Sequence, residues 1–410
     1  MDRTVAQAAE KNTTSSYKIY LDSSHIECRP NLVQLSKVHI YLVQNGHTIV
    51  NDPSIADFTI VNTCGFTASK ESHTINLLTM HKKHNAKAIS IGCLNKINKE
   101  LVSSCSHVTM ISNLNKLDEF FYQKVKFSDV PEAYIDEEID IKSSADQPSF
   151  RILARMLHPI LKKSDLYRKI VRQVYRKDKV YVEIGTGCVG NCSYCIIKKA
   201  KGNPVSRNPK EILNDIDKVC QPGKQLDLVA DDCGSYGVDT GTNLPALLRE
   251  ISEKYPDLPI DISYLNPLWL TRQETQYRNA FKETKINSIN LTIQSGSNKT
   301  IRRMNRKYDV SEILAIMKTL KSISPTTIFW THVIVGFPGE TLDDFVKTLS
   351  IMRHFEAVGV YLYSDREGTK CAEFENKNSP FVKSLKYGIA SIFAKINSSL
   401  KIAGELIKHS

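Results

Sequence analysis

The chain has 410 residues, of which 41% are hydrophobic and 24% charged, and it carries a formal net charge of +11. This composition is ordinary for a protein that buries apolar cores, and the length predicts two or three domains. No apolar run reaches the roughly 18 residues that a membrane-spanning helix needs, so we expect no membrane partner. The positive charge suggests a polyanionic partner, or a surface that meets one.

Residues 1–17 are polar and contain no hydrophobic stretch of the kind found in signal peptides. We therefore predict a disordered tail and a cytoplasmic protein. Without an export signal, the ten cysteines are better explained as metal ligands or free thiols than as disulfides.

Residues 18–127 alternate strand-like and helix-like stretches and predict an N-terminal α/β domain. The stretch NLVQLSKVHIYLVQNG has apolar residues at helical spacing and ends at Gly46, whereas DFTIVNTC and AISIGC are strand-like. Strands that alternate with helices predict a small parallel sheet with ligands at the carboxyl ends of its strands.

Three cysteines of this predicted domain lie near the ends of its strands, where ligands are expected. Cys64 and Cys93 each close a predicted strand, and Cys28 precedes the first predicted helix. Because the carboxyl ends of parallel strands meet at one edge of a sheet, these side chains could converge on a metal site. Taken singly, each is better explained as a buried structural thiol. Four other cysteines are interpreted as ordinary thiols: Cys105, Cys220, Cys233 and Cys371.

Residues 128–178 predict a linker with two parts. The stretch DVPEAYIDEEIDIKSSADQPS is acidic and lacks a pattern. Residues 151–179 then carry ten Lys or Arg, with apolar residues at helical spacing. This basic helix is either a solvated surface covering part of the core or an arm that binds nucleic acid or an acidic peptide.

Residues 179–375 contain six strand-like stretches separated by amphipathic helices, which predict a partial (β/α)6 barrel. After the first strand, Cys188, Cys192 and Cys195 have the spacing C-x3-C-x2-C. Three closely spaced thiolates suit an iron–sulfur cluster that keeps one iron open to another ligand. The alternative is structural zinc, but zinc knuckles usually use two C-x2-C pairs or pairs of Cys and His.

The cysteine triad resembles that of the radical S-adenosylmethionine (SAM) superfamily. ECRPNLVQL, IVNTCGFTASKES and ISIGC resemble the N-terminal domain of the radical SAM methylthiotransferases. The motifs lean toward the RimO branch, which modifies a ribosomal-protein aspartate, rather than the MiaB branch, which modifies tRNA adenosine. The resemblance departs after NLV, where Gln34 and Leu35 replace the family's D-S. Residues 376–410 predict only a helical tail where the family commonly has a TRAM β-barrel.

The resemblance implies two [4Fe–4S] clusters and SAM as cofactors. The SAM-binding cluster would be held by Cys188, Cys192 and Cys195, and the auxiliary cluster by Cys28, Cys64 and Cys93. The residues implied to contact SAM are Tyr194, Asp232, Gln294, Ser295, Val335, Gly336 and Phe337.

The expected function is insertion of sulfur into a C–H bond followed by methylation, on a peptide or protein side chain or on a tRNA base. A SAM-derived radical would remove the hydrogen, while the protein supplies binding and orientation. We expect a flavodoxin- or ferredoxin-type electron donor and a monomeric protein. Two alternatives stay open: a radical SAM enzyme of other outcome, such as thiolation without methylation or auxiliary-cluster redox chemistry, on a small biosynthetic substrate, and a non-catalytic iron–sulfur protein.

Overall fold

The computed structural model describes residues 16–23, 28–81, 86–135 and 179–408. Their strands form a five-stranded, a seven-stranded and a small two-stranded sheet. Most of the predicted tail over residues 1–17 and all but the last residue of the predicted basic helix over residues 151–179 lie outside the described residues.

The five-stranded sheet is parallel and confirms the predicted N-terminal α/β architecture. Its strands, β1 to β5 in chain order, are Lys18–Ser23, Thr48–Val50, Phe58–Thr63, Lys87–Gly92 and Val108–Met110. They lie in the order β2-β1-β3-β4-β5. The accompanying helices are Arg29–Gln44, Ala68–His81, Leu94–Ile97, Lys99–Ser103 and Asp118–Phe121. On β3, Ile60 and Val61 belong to different apolar clusters, so this β-branched strand is buried on both faces.

The seven-stranded sheet contains the six predicted parallel strands. Its members are β6 (Ala133–Ile135), β7 (Lys179–Glu183), β10 (Gln225–Val229), β11 (Ile260–Leu265), β12 (Ile286–Leu291), β13 (Ile328–Val335) and β14 (Ala357–Leu362). The order β14-β13-β12-β11-β10-β7-β6 leaves the barrel open. The strands β8 (Gly185–Thr186) and β9 (Val205–Ser206) pair separately.

Helices alternate with these strands, as the amphipathic stretches predict. They are Ile197–Lys201, Pro209–Val219, Leu244–Lys254, Leu268–Arg272, Glu274–Glu283, Asn298–Arg303, Val310–Ile323, Leu342–Met352 and Pro380–Lys408. Short 3₁₀ turns occupy Pro53–Ile55, Leu114–Leu117, Phe127–Asp129, Cys233–Ser235 and Lys370–Glu373. In the described ranges, no helix is both long enough and apolar enough to cross a bilayer.

Part of the predicted linker belongs to the second sheet. Residues Ala133–Ile135 pair antiparallel with β7 and extend the sheet by one strand. Three residues are too few for a periodic pattern, so the sequence does not predict this strand. The domain boundaries at residues 127 and 179 remain predictions.

The segment predicted as a C-terminal helical tail contains a 29-residue helix that packs on the barrel. Its Asn397 Nδ2 donates hydrogen bonds to the carbonyl oxygens of Met352 and Phe355, both at 3.1 Å. Its Lys386 Nζ lies 2.9 Å from Glu340 Oε2, and this carboxylate also accepts a hydrogen bond from the Gly336 amide. The helix therefore supports the loop after β13.

We expect Lys386→Met to lower the free energy of unfolding by about 3–5 kcal/mol, because it leaves the buried Glu340 carboxylate without its cation. Denaturant unfolding measures this change. Lys254→Met is the matched control, because Lys254 and Asp217 form an exposed pair whose loss should change the free energy of unfolding much less. Equal losses in the two variants would contradict the prediction.

Candidate active site

One cavity of about 260 Å³ is lined by residues of both domains. Its lining includes both predicted cysteine sets, namely Cys28, Cys64 and Cys93 together with Cys188, Cys192 and Cys195. The first set comes from the carboxyl edge of the five-stranded sheet, and the second from the loop after β7. The sequence predicts each set, and the structure shows that both face the same space.

Glycines shape the loop that carries the second cysteine set. Gly187 has φ +77°, and its amide donates a hydrogen bond to Asp231 Oδ2 at 2.8 Å. The amide of Gly190 donates to Cys188 Sγ at 3.1 Å. A Cβ atom on Gly190 would lie 3.1 Å from Cys188 Sγ and 3.8 Å from Cys192 Sγ. The Sγ atoms of Cys188 and Cys192 therefore both lie close to the backbone of Gly190.

Burial governs the protonation of two cavity thiols. Burial first, and a neighbouring cysteine in each case, raise the pKa of Cys64 to about 11 and that of Cys195 to about 12. Without metal, these side chains are therefore neutral thiols at neutral pH. A thiophilic metal group that binds there must release their protons.

The cysteine sets fit an iron–sulfur cluster better than a single ion. All ten cysteines are free. Across the described ranges, no group of three or more His, Cys, Asp or Glu side chains could hold one metal ion. A four-iron cluster spreads its thiolate ligands more widely than a tetrahedral zinc ion does. The cavity therefore has the donor chemistry of iron–sulfur ligation.

Arg306 connects one cysteine of the second set to the cavity wall. The side chain is 7% exposed, and its Nη1 donates to Tyr194 Oη at 3.0 Å and lies 3.7 Å from Cys192 Sγ. Its Nη2 donates to Asn266 Oδ1 at 3.0 Å and to the Thr292 carbonyl at 2.8 Å. The predicted SAM contact Tyr194 lines the cavity and is held in place by this guanidinium.

The predicted SAM contacts Asp232 and Gln294 also line the cavity. Asp232 Oδ2 accepts hydrogen bonds from Trp269 Nε1 and Ser235 Oγ, both at 2.8 Å, and lies 3.7 Å from Cys188 Sγ. Gln294 has φ +69° and is held between two main-chain hydrogen bonds to β13. Asp232 therefore organises the wall beside Cys188.

The other four predicted SAM contacts do not belong to the cavity lining: Ser295, Val335, Gly336 and Phe337. Ser295 Oγ bonds to Thr348 Oγ1, and Val335 packs on Phe345 and Ala390. The Gly336 amide donates to Glu340, and Phe337 stands behind Tyr194 with ring centres 6.4 Å apart. These residues support the lining, and their contact with SAM remains a prediction.

Tyr264, His332 and Tyr361 form an aromatic wall of the cavity. The sequence does not predict this wall. The ring centres of Tyr264 and His332 are 6.0 Å apart, and those of His332 and Tyr361 are 5.0 Å apart. Tyr264 has φ +50° at a register shift in β11, so an irregular strand directs it into the cavity. Burial lowers the pKa of His332 to about 3, so this ring is neutral.

Four cationic side chains line the cavity, namely Lys198, Lys201, Arg306 and Arg366. Burial lowers the pKa of Lys201, but the acidic groups around it, Asp231 foremost, together raise it overall, so the lysine stays charged. Arg366 forms an ion pair with Glu71, which joins the loop after β14 to the helix Ala68–His81 of the other domain. The cavity thus contains positive charge as well as thiols.

Comparison with known families covers both domains. The model of the Radical SAM superfamily matches residues 182–352, and that of Uncharacterized protein family UPF0004 matches residues 21–112. Among solved structures, the cobalamin-dependent SAM radical enzyme OxsB with aqua-cobalamin and SAM bound matches at 11% identity with a TM-score of 0.53. That match covers 93% of this chain and 56% of OxsB, and it concerns the fold alone.

Curated relatives cover most of the chain. Ribosomal protein uS12 methylthiotransferase RimO from Clostridium perfringens is 30% identical in an alignment of 399 positions that covers 90% of this chain and 80% of the relative. RimO from Clostridium acetobutylicum is 33% identical, covering 84% and 75%. A probable threonylcarbamoyladenosine tRNA methylthiotransferase from Pyrococcus horikoshii is 27% identical, covering 87% and 79%.

The fold and the cysteine cavity define a radical SAM enzyme. The chain belongs to the radical SAM methylthiotransferase family, as the sequence motifs predict. Members of this family use SAM and two [4Fe–4S] clusters to transfer sulfur and a methyl group.

Proposed function

We propose that this chain methylthiolates an acidic side chain of a polypeptide such as ribosomal protein uS12. The arrangement of both cysteine sets around one cavity carries the proposal. It supports Cys188, Cys192 and Cys195 as ligands of the SAM-binding cluster. It equally supports Cys28, Cys64 and Cys93 as ligands of the auxiliary cluster.

The bound cofactors would supply hydrogen abstraction, sulfur and a methyl group. The protein's own residues bind and orient the reactants. Arg306 fixes Tyr194 beside the second cysteine set, and Asp232 orders the loop that borders Cys188. Walls from two domains limit access of water to the reacting carbon. An external donor of the flavodoxin or ferredoxin type would supply electrons.

Two observations favour a polypeptide substrate. RimO relatives reach 29% to 33% identity, and tRNA-modifying relatives from two Pyrococcus species reach 27% and 29%. In addition, Lys201 lines the cavity as a half-buried ammonium, which can bind a substrate carboxylate through a charge-assisted hydrogen bond.

A tRNA base is the second candidate substrate. The aromatic wall of Tyr264, His332 and Tyr361 offers ring faces on which a flat base can stack. The net charge of +11 also suits a phosphate backbone.

Product analysis distinguishes these candidates. The anaerobically reconstituted chain is incubated with SAM and a reductant, in separate reactions with uS12 and with tRNA. We expect mass spectrometry to detect a methylthio group on a uS12 peptide and none on tRNA nucleosides. A methylthio group on tRNA alone would support the second candidate. Formation of 5′-deoxyadenosine with no sulfur in either product would contradict both substrates.

A further inference from the structure

A set of buried charges lies on the inner face of the seven-stranded sheet. The carboxylates of Asp227 on β10 and Asp261 on β11 are at most 1% exposed. Lys179 Nζ lies 2.6 Å from Asp261 Oδ2 and 3.9 Å from Asp227 Oδ2. One lysine for two carboxylates would leave an uncompensated negative charge in a buried place, which is unfavourable.

The compensating cation is Arg29, which belongs to the other domain. Its Nη1 donates to Ser263 Oγ at 2.6 Å, and its Nε lies 3.4 Å from Asp227 Oδ2. Its Cζ stands 4.8 Å from the centre of the Trp330 ring. The side chain is 4% exposed. A planar guanidinium therefore contacts β10, β11 and β13 at once, which the point charge of a lysine cannot do.

The backbone of Arg29 is directly bonded to that of a cavity cysteine. Cys28 is the N-cap of the helix Arg29–Gln44, and its carbonyl accepts a hydrogen bond from the Leu32 amide at 3.0 Å. Farther along this helix, Val33 packs with Tyr181 and Val229 of the second sheet. The anchored guanidinium therefore fixes the helix end from which Cys28 faces the cavity.

We propose that Arg29 is a positioning residue that sets the location of Cys28, and with it the auxiliary cluster, relative to Cys188, Cys192 and Cys195. Arg29 does not line the cavity, so it acts through Cys28 rather than on the substrate. The proposal rests on the ligand assignment in the proposed function. Sulfur transfer needs the reacting carbon to lie within reach of both cofactors, so a small displacement of Cys28 should uncouple the two half-reactions.

Arg29→Lys tests this role, because it keeps the buried charge balance but loses the planar fork. We expect 5′-deoxyadenosine to form within about twofold of the wild-type rate, because radical formation needs only the cluster on Cys188, Cys192 and Cys195. Methylthio product per 5′-deoxyadenosine should fall by about tenfold to a hundredfold. A purely structural weakening would lower both yields together. Unchanged coupling in Arg29→Lys would overturn the proposal.

Lys37→Met is the matched control. Lys37 lies on the same helix, is 5% exposed and forms an ion pair with Glu132 at the second sheet, but it does not line the cavity. We expect this variant to couple like the wild type. Uncoupling of the same size in Lys37→Met would assign the effect to general loosening of the helix and overturn the role of Arg29.

Two further measurements keep the proposal independent of substrate and of folding. The magnetic interaction between the two reduced clusters, measured by electron paramagnetic resonance, should change in Arg29→Lys and not in Lys37→Met. This readout holds even if neither uS12 nor tRNA is the substrate, and an unchanged interaction contradicts the proposal. If Arg29→Lys fails to fold, the double variant Arg29→Met/Asp227→Asn takes its place. It removes both charges of the buried pair together with the planar guanidinium, and it should show the same uncoupling.

Discussion

Replacing Cys188, Cys192 and Cys195 together by alanine should lower bound iron from about eight to about four atoms per chain after anaerobic reconstitution. Each [4Fe–4S] cluster has its own thiolate set, and the two sets come from different domains. The variant should form no 5′-deoxyadenosine, because the proposed assignment gives SAM binding to the cluster that it lacks. Iron, sulfide and nucleoside analysis measure these outcomes.

The complementary variant replaces Cys28, Cys64 and Cys93 by alanine. It should also keep about four irons, but it should still form 5′-deoxyadenosine and should lose all sulfur transfer. Replacing Cys105 and Cys220, which do not line the cavity, is the control and should change neither iron nor product. If the variant without Cys188, Cys192 and Cys195 retains no iron at all, then Cys28, Cys64 and Cys93 hold no cluster, and the proposed auxiliary site is wrong.

Gly187→Ala should destabilise the chain by about 3 kcal/mol or more and remove the iron of the SAM-binding cluster. Gly187 has φ +77°, and a Cβ atom there would lie 2.1 Å from the Asn203 carbonyl oxygen. The obstacle is backbone, and the amide of Cys188 is bonded to the adjacent Gly202 carbonyl. Relief of the clash must therefore displace Cys188. Denaturant unfolding and iron analysis measure the two effects.

Gly241→Ala separates the clash from the backbone conformation. Gly241 has the same φ of +77°, but a Cβ atom on it would meet no atom within 4 Å beyond its chain neighbours. Its substitution should cost only the left-handed conformation of an L-residue, about 1–2 kcal/mol, and should leave the iron content unchanged. Equal destabilisation by the two alanines would show that the contact with Asn203 is unimportant.

The sequence was sufficient for the architecture and the thiols because both depend on local patterns. The β-branched run in Phe58–Thr63 and the alternation of strands and helices predict parallel sheets, whose geometry brings strand ends together. This topological rule placed Cys64 and Cys93 at one edge. Cys188, Cys192 and Cys195 are so close together in the chain that they must also lie close together in space.

The rest of the site depends on contacts between residues far apart in the chain. Tyr264 reaches the cavity through a strand irregularity, and no residue type in IDISYL announces a positive φ. Arg29 finds Asp227 across nearly two hundred intervening residues, as a consequence of how the domains pack. The pattern of the C-terminal segment predicts a helix. It does not show where Glu340 lies in the fold, and the packing of the helix through Lys386 depends on that position.

The buried pairing of Arg29 with Asp227 also constrains how the two domains can evolve. Recombination that exchanged the first domain for a homologous one without this arginine would leave a buried carboxylate without its cation, at a cost of about 3–5 kcal/mol. Such a chimaera would need a second, compensating substitution in the barrel before it became viable. The two domains are therefore expected to be inherited as a pair, although each has its own sheet and its own core.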